Sequence, residues 1–205
     1  MLPPHLGQCV REQIVRCVED HPAIDTLPRI VFSEEKPAIL GSGGGLLHAK
    51  ELFSAETIIT ALPDMVFSNP PPKAFARAAL KGDTSCGLLL LDRKRAKDAP
   101  VYSSLFSSRG RVNKGQGRCW SGIGYLKKEL LRDIWNGKTP HEFDVFEHYL
   151  LPEIAEGRCA SVPYPSGKWF ELGTIEELLK SEREASRLLP DVWPKCLRKH
   201  PTIGR

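Results

Sequence analysis

Short apolar runs alternate with amphipathic stretches along this chain, and the alternation predicts strands interleaved with helices. The runs Thr57–Leu62 and Cys86–Leu91 are almost wholly apolar or β-branched, which is typical of strands buried on both faces of a parallel sheet. Further strands are predicted at 29–32, 120–126 and 158–162, a meander at 101–106 and from 112 onward, and helices at 6–20, 70–79, 130–134, 143–155 and 175–188. This order predicts an α/β fold of the doubly wound type, built on a mixed, mostly parallel sheet.

The length of the chain bears on its domain organisation. Its 205 residues are enough for one sizeable α/β domain, and no internal repeat is visible. We therefore predict a single domain over 1–189, followed by a basic, proline-containing tail over 190–205.

The segment Leu40–Leu47 contains four glycines in the five positions 41–45, flanked by apolar residues. Because glycine costs entropy in an ordered chain, such a run marks a sharp turn or a close approach of the backbone to another group. The apolar spacing that follows predicts a helix that begins at the glycines, and its first N–H groups suit an anion or a polar ligand. Two interpretations stay open: a ligand-binding turn at Gly43, Gly44 and Gly45, or a loop that only packs tightly.

Composition narrows the class of protein. Hydrophobic residues make up 41% and charged residues 26% of the chain, as in ordinary globular proteins. The net charge of +4 is too small to indicate nucleic-acid binding, but it suits phosphorylated small molecules. No run is apolar enough to predict a membrane span or a signal peptide. Six cysteines without a C-x-x-C pair predict a reduced, cytoplasmic protein.

Two acidic residues are candidate metal ligands. Asp64 lies two residues after the run Thr57–Leu62, at the carboxyl end of a predicted strand, where open α/β sheets bind ligands. A carboxylate there suits Mg²⁺, which takes one or two carboxylates plus substrate phosphates, whereas the alternative is an aspartate that starts a turn. Glu171, before the last predicted helix, is either a second oxygen ligand of that ion or a solvent-facing strand residue.

Three further residues are candidate ligand contacts. Glycines within a strand pattern mark the close approach of a ligand or of another backbone. Gly122 and the hydroxyl of Ser121 are therefore candidates for binding a sugar hydroxyl, with tight strand packing as the equal alternative. Asp144 begins a predicted helix, so its first interpretation is a charge stabilised by the helix dipole and its second is a substrate or nucleotide contact.

Five motifs follow one another along the chain. They are Leu-Gly-Ser-Gly-Gly-Gly-Leu-Leu from Leu40, the apolar strand before Asp64, Ser-Gly-Ile-Gly-Tyr from Ser121, Phe-Asp at 143–144 with Leu-Pro at 151–152, and Trp-Phe-Glu-Leu-Gly-Thr from Trp169. Their order resembles the sugar-phosphate nucleotidyltransferases, above all the N-acetylmuramate-1-phosphate uridylyltransferase and mannose-1-phosphate guanylyltransferase-like branch. The resemblance covers residues 6–188 and implies a GT-A-like sheet.

The resemblance also implies roles for the candidate residues. Asp64 matches the first Mg²⁺ carboxylate of the family, and Glu171 takes the place of the second. The turn Gly43–Gly45 and the pair Ser121 and Gly122 match positions that contact nucleotide or sugar. The implied reaction is attack of a sugar-1-phosphate oxygen on the α-phosphorus of a nucleoside triphosphate, which gives a nucleoside diphosphate sugar and pyrophosphate.

Three departures from the family pattern modify this expectation. No G-x-G-T/E-R loop followed by P-K precedes Leu6, position 171 carries Glu rather than Asp, and Pro63 stands where the family places Gly. We therefore expect either an N-terminally incomplete member or a relative that has lost catalysis and serves as a sugar-nucleotide-binding or regulatory domain. The sheet edge left open would recruit a second copy of the chain or a partner chain.

Overall fold

The computed structural model describes residues 11–12, 15, 30–67, 69, 71, 73–92, 105–115, 117–135, 142–164, 168–177, 179, 181 and 187. These residues fall into two compact units, one within Met1–Ser54 and Gly137–Val145, and one within Ala55–Asn136 and Phe146–Arg205. The first unit contains helix α1 (Gly41–His48), which is followed by a 3₁₀ turn (Lys50–Leu52).

The second unit contains every described strand. The strands are β1 (Thr57–Ala61), β2 (Met65–Phe67), β3 (Cys86–Asp92), β4 (Leu105–Ser108), β5 (Arg111–Lys114), β6 (Arg118–Lys127), β7 (Cys159–Pro163) and β8 (Trp169–Glu171). Six of them form one sheet in the order β1-β6-β3-β7-β5-β4, and β2 pairs with β8 in a separate two-stranded ladder. The described helices of this unit are α2 (Lys73–Lys81), α3 (Lys128–Trp135) and α4 (Leu151–Ala155), the last preceded by a π-helical turn (Phe146–Leu150).

Strand β3 lies at the centre of the core. Its leucines at 88–91 are fully or almost fully buried, and β6 and β7 pair with its two edges. Helix α2 packs its Phe75 edge-to-face on Tyr125 of β6, with ring centroids 5.8 Å apart. In the parallel pair of β3 and β7, Cys86 stands directly opposite Cys159, and both thiols are buried.

The predicted mixed α/β fold is confirmed, but fewer strand pairs are parallel than expected. Among the described strands, β3 and β7 form the parallel pair, and the other pairings are antiparallel. Strand β1 was predicted to be buried on both faces within a parallel sheet, and this is wrong. It ends the strand order, pairs antiparallel with β6 and leaves Ile59 60% exposed while Ile58 is 6% exposed. A run of β-branched residues suits any pleated strand, so its composition does not distinguish a central strand from an edge strand.

Most predicted element positions hold over the described residues, with three differences. Ladder β2–β8 was not predicted, because its strands are only three residues long. The strand predicted at 29–32 is wrong at 30–32, where the backbone is irregular, and position 29 lies outside the described residues. The helix predicted from 143 begins at Val145 instead.

Some predictions reach beyond the described residues. Within the predicted helices 6–20 and 175–188, only 11–12, 15, 175–177, 179, 181 and 187 are described, and all of these are helical. The tail 190–205 lies outside the described residues, and the single domain over 1–189 stays a prediction. No helix in the described part of the chain has both the length and the apolar character needed to cross a membrane.

Candidate functional site

The first candidate region is the glycine segment, Leu40–Gly45, which belongs to the first unit. Helix α1 begins at Gly41, which has a φ of +69°, so the glycines form the first turn of the helix and do not precede it. Phe143 runs beside this turn and exchanges two backbone hydrogen bonds with it. The Phe143 N–H donates to the carbonyl of Leu40 at 3.0 Å, and the Gly43 N–H donates to the carbonyl of Phe143 at 3.0 Å. One of the N–H groups expected to face a ligand is therefore already bound within the protein.

The lack of side chains at these glycines has a steric cause. A Cβ at Gly41 would lie 2.7 Å from the carbonyl oxygen of Phe143, and a Cβ at Gly43 would overlap the Phe143 ring. A Cβ at Gly45 would overlap the carboxylate of Glu35. Each glycine in a helix costs about 1 kcal/mol relative to alanine, so external contacts must hold this turn in place. The packing interpretation therefore accounts for Gly41 and Gly43, whereas the Glu35 carboxylate beside Gly45 ends a flexible side chain. Nucleotide contact at Gly43, Gly44 and Gly45 stays a prediction.

Ser42 connects the glycine segment to Asp144. Its hydroxyl donates to Asp144 Oδ2 at 2.9 Å and accepts a hydrogen bond from the Val145 N–H at 2.9 Å. Asp144 directly precedes the helical residues that begin at Val145, as its first interpretation requires. Its role as a substrate contact stays a prediction.

The second candidate region is the carboxylate segment, which consists of Asp64 and the β2–β8 ladder of the second unit. Met65 pairs directly with Glu171, and the Leu172 N–H donates to the carbonyl of Asp64 at 2.7 Å. The backbone of Glu171 is therefore adjacent to that of Asp64, although the two residues are far apart in sequence. The structure thus brings together the main chains of the two predicted metal ligands at the carboxyl end of β1.

Asp64 also carries a polar atom that needs a partner. Its Oδ1 is buried and has no hydrogen-bond partner among the residues that the structure describes. A buried acceptor without a partner costs about 1–3 kcal/mol, so such an atom calls for an unseen partner. A divalent cation suits a carboxylate in this position, since Mg²⁺ binds through one or two carboxylates and completes its shell with water and phosphate. Within the described chain no group of three or more potential metal ligands occurs, so a Mg²⁺ ion here would depend on substrate and water oxygens.

Gly122 and Ser121 lie beside this segment on β6. Gly122 has a φ of +85°, and a Cβ there would lie 2.7 Å from Met65 Cγ, so the glycine lets β2 approach β6 closely. Ser121 is fully buried, its hydroxyl accepts a hydrogen bond from the Ile123 N–H at 3.3 Å, and its carbonyl accepts one from Trp169 Nε1 at 3.1 Å. These contacts explain both residues by packing, and their proposed contact with a sugar stays a prediction.

The groups with perturbed pKa values lie outside both candidate regions. Hydrogen bonds from Arg158 lower the pKa of Glu153, and the Ser85 hydroxyl also donates to this carboxylate. Burial raises the pKa of Tyr125, and burial raises the pKa of Tyr149 to about 12. None of these groups was a predicted site residue, and their contacts tie helix α4 and the core together.

Comparisons with known proteins show which fold this is. No protein-family model matches the sequence, and no curated protein matches it. The chain is similar to HddC from Yersinia pseudotuberculosis, solved in complex with GMP-PN, with a TM-score of 0.57 and 23% identity over 85% of this chain and 73% of that one. It is also similar to the inositol-1-phosphate CTP transferase from T. maritima, with a TM-score of 0.56 and 14% identity over 75% of this chain and 64% of that one.

A third similar structure is a protein described as a glucose-1-phosphate thymidylyltransferase from Bacillus anthracis, in complex with a sucrose. Its TM-score is 0.56 at 14% identity, over 74% of this chain and 63% of that one. At such identities the likeness is one of fold. The chain has the same mixed α/β fold as these three structures.

Sequence reasoning missed two partners of the glycine segment. The motif of glycines signals close packing but does not say against what, so neither Glu35 nor the ring of Phe143 was singled out. The Phe-Asp motif of the family pattern was the only sequence feature that pointed to Phe143. No sequence feature pointed to Glu35.

Proposed function

We propose that this chain acts as a nucleotidyltransferase on a phosphorylated sugar. In this reaction an oxygen of a sugar-1-phosphate bonds to the α-phosphorus of a nucleoside triphosphate, and the bond from that phosphorus to the β-phosphate oxygen breaks. The products are a nucleoside diphosphate sugar and pyrophosphate. The fold supports this proposal, because the similar structures include two described as transferases for glucose-1-phosphate and inositol-1-phosphate.

One observation carries the proposal: the β2–β8 ladder pairs Met65 with Glu171 and thereby places the main chain of Glu171 next to Asp64. The main chains of two acidic residues from distant parts of the chain thus meet just after the end of β1. The unpaired Oδ1 of Asp64 adds a reason to expect a cation there.

Asp64 and Glu171 would hold a Mg²⁺ ion, which supplies neutralisation of phosphate charge as it builds up during transfer. The chain itself contributes positioning. The hydrogen bond between the Leu172 N–H and the Asp64 carbonyl, at 2.7 Å, fixes the two acidic residues relative to each other. We assign binding of nucleotide or sugar to the glycine turn, to Ser121 and Gly122, and to Asp144, as the family pattern implies.

A thermal-shift screen tests this function. The purified chain is heated with UDP-, GDP-, CDP- and dTDP-sugars, each with and without Mg²⁺, and pyrophosphate release is measured with the matching triphosphate and sugar-1-phosphate. A ligand at about 100 times its Kd raises the melting temperature of a chain of this size by about 5–10 °C. We expect such a rise with one nucleotide class, only when Mg²⁺ is present.

Variants test whether the Mg²⁺-dependent rise in melting temperature comes from binding at the carboxylate segment. Asp64→Asn keeps the shape and the main-chain bond of Asp64 but removes the charge, so we expect the Mg²⁺-dependent rise to disappear. The matched control is Asp83→Asn, since Asp83 is 82% exposed and pairs with Arg111 on the surface. An unchanged rise in Asp64→Asn would remove Asp64 from the site. Binding without pyrophosphate release would refute transfer and leave a sugar-nucleotide-binding role.

A further inference from the structure

We propose that Glu35 is a positioning residue that holds the glycine segment in the geometry needed to bind nucleotide. The proposal concerns a residue outside every motif used above. It rests on the proposed function, because a role in binding presupposes that the glycine segment contacts the ligand.

The carboxylate of Glu35 supplies the cap that helix α1 lacks. Leu40, the residue before the helix, makes no side-chain capping bond of its own. Instead its N–H donates to Glu35 Oε2 at 2.5 Å. The other oxygen, Oε1, lies against Gly45, where a Cβ would overlap it. One carboxylate therefore contacts the chain just before the helix and again one turn into it.

The contact between the Glu35 carboxylate and helix α1 is also electrostatic. The first turn of a helix carries a partial positive charge, and a carboxylate near it is stabilising. No acidic residue lies within the first turn of α1 itself, so Glu35 supplies this charge from outside the helix. Glu35 thus helps to stabilise the glycine segment.

Glu35 and Phe143 hold the turn through different atoms. Phe143 binds the main chain at Leu40 and Gly43, and its ring fills the space above Gly43. Glu35 binds at Leu40 and lies over Gly45. A run of glycines has no side chains to define its conformation, so these external contacts define it. Loss of Glu35 should free the turn without removing any group that the ligand is proposed to touch.

Hydrogen exchange tests the local part of the proposal without a ligand. We expect Glu35→Ala to speed amide exchange in residues 40–45 by about tenfold, as loss of a helix cap does. Glu35→Gln keeps an oxygen that can accept from the Leu40 N–H but loses the charge, so its exchange should lie between that of the wild type and that of Glu35→Ala. The matched control is Glu34→Ala, since Glu34 is 55% exposed and pairs with Lys36 at 3.1 Å. Unchanged exchange in Glu35→Ala, or exchange in Glu35→Gln as fast as in Glu35→Ala, would overturn the proposal.

Affinity tests the link to binding. The Kd of the nucleotide sugar found in the thermal-shift screen is measured by calorimetry for the same variants, alongside urea unfolding. We expect Glu35→Ala to raise the Kd by about tenfold and Glu35→Gln to raise it less, while Glu34→Ala binds as the wild type does. If Glu35→Ala does not fold, Glu35→Asp replaces it, because its carboxylate ends one methylene short of Leu40.

The outcomes separate this proposal from the proposed function. Faster exchange with an unchanged Kd would reduce Glu35 to a structural contact and overturn its role in binding. A wild-type chain that binds no nucleotide sugar would refute the proposed function and the binding role with it. The exchange data would then still decide whether Glu35 orders the glycine segment.

Discussion

Replacement of Gly43 by alanine tests the packing of the glycine segment quantitatively. The new methyl group would overlap the ring of Phe143, which is only 8% exposed and has little room to move. Overpacking of this kind costs about 1–3 kcal/mol. Alanine recovers about 1 kcal/mol of helix propensity, so we expect a net loss of about 0–2 kcal/mol in the free energy of unfolding. For a chain of this size that lowers the melting temperature by up to about 8 °C.

A double-mutant cycle identifies the ring as the cause. Gly43→Ala, Phe143→Ala and the double variant are compared by urea unfolding followed by circular dichroism. Without the ring the methyl group no longer clashes. The double variant should therefore lose about 1 kcal/mol or more less unfolding free energy than the sum of the two single variants. Gly157→Ala serves as the control, because Gly157 has a φ of +69° but nothing within 4 Å of a Cβ, and it should add to Phe143→Ala without coupling. A stabilising Gly43→Ala, or losses of Gly43→Ala and Phe143→Ala that simply add, would refute the reasoning.

Three further predictions concern the second unit. Because Arg158 lowers the pKa of Glu153, the stability this carboxylate provides is present above its ordinary pKa and lost as pH falls; urea midpoints of Glu153→Gln should therefore depend less on pH below 5 than those of the wild type. Burial raises the pKa of Tyr149 to about 12, so its contribution is complete below pH 10 and lost as pH rises toward 12; Tyr149→Phe should flatten the alkaline loss of stability measured by circular dichroism. Asp83→Ala removes the exposed ion pair with Arg111 and should change the free energy of unfolding by only about 0–1 kcal/mol, and a larger loss would show that the pair is not screened by water.

The sequence predicted the fold class and most strands because their apolar runs are long. Strand β3, with four consecutive leucines, was identifiable from pattern alone. The position of β1 was not, because the side chains of Ile58 and Ile59 look equivalent in sequence while one is buried and the other 60% exposed. Pairing partners of a strand are set by residues far away in the chain, and periodicity carries no information about them.

The candidate site was predicted in part for a similar reason. The motifs indicated Asp64 and Glu171 as ligands of one ion, but only the ladder shows that Met65 stands opposite Glu171. Strands of three residues are too short to produce a recognisable alternation, so this pairing could not be predicted from local pattern. The contact of Glu35 with Leu40 is likewise a tertiary hydrogen bond that no spacing rule encodes.

The two facing thiols of the central sheet offer a chemical reporter of its opening. The hydrogen bond with Cys159, together with burial, holds the pKa of Cys86 well above its usual range, so the reactive thiolate is absent in the closed sheet. Cys86 and Cys159 are both fully buried, so a thiol-alkylating reagent can modify them only after the part of the core that covers them opens. Mass spectrometry of the two peptides over time would then measure how often the core of the second unit opens, independently of any ligand.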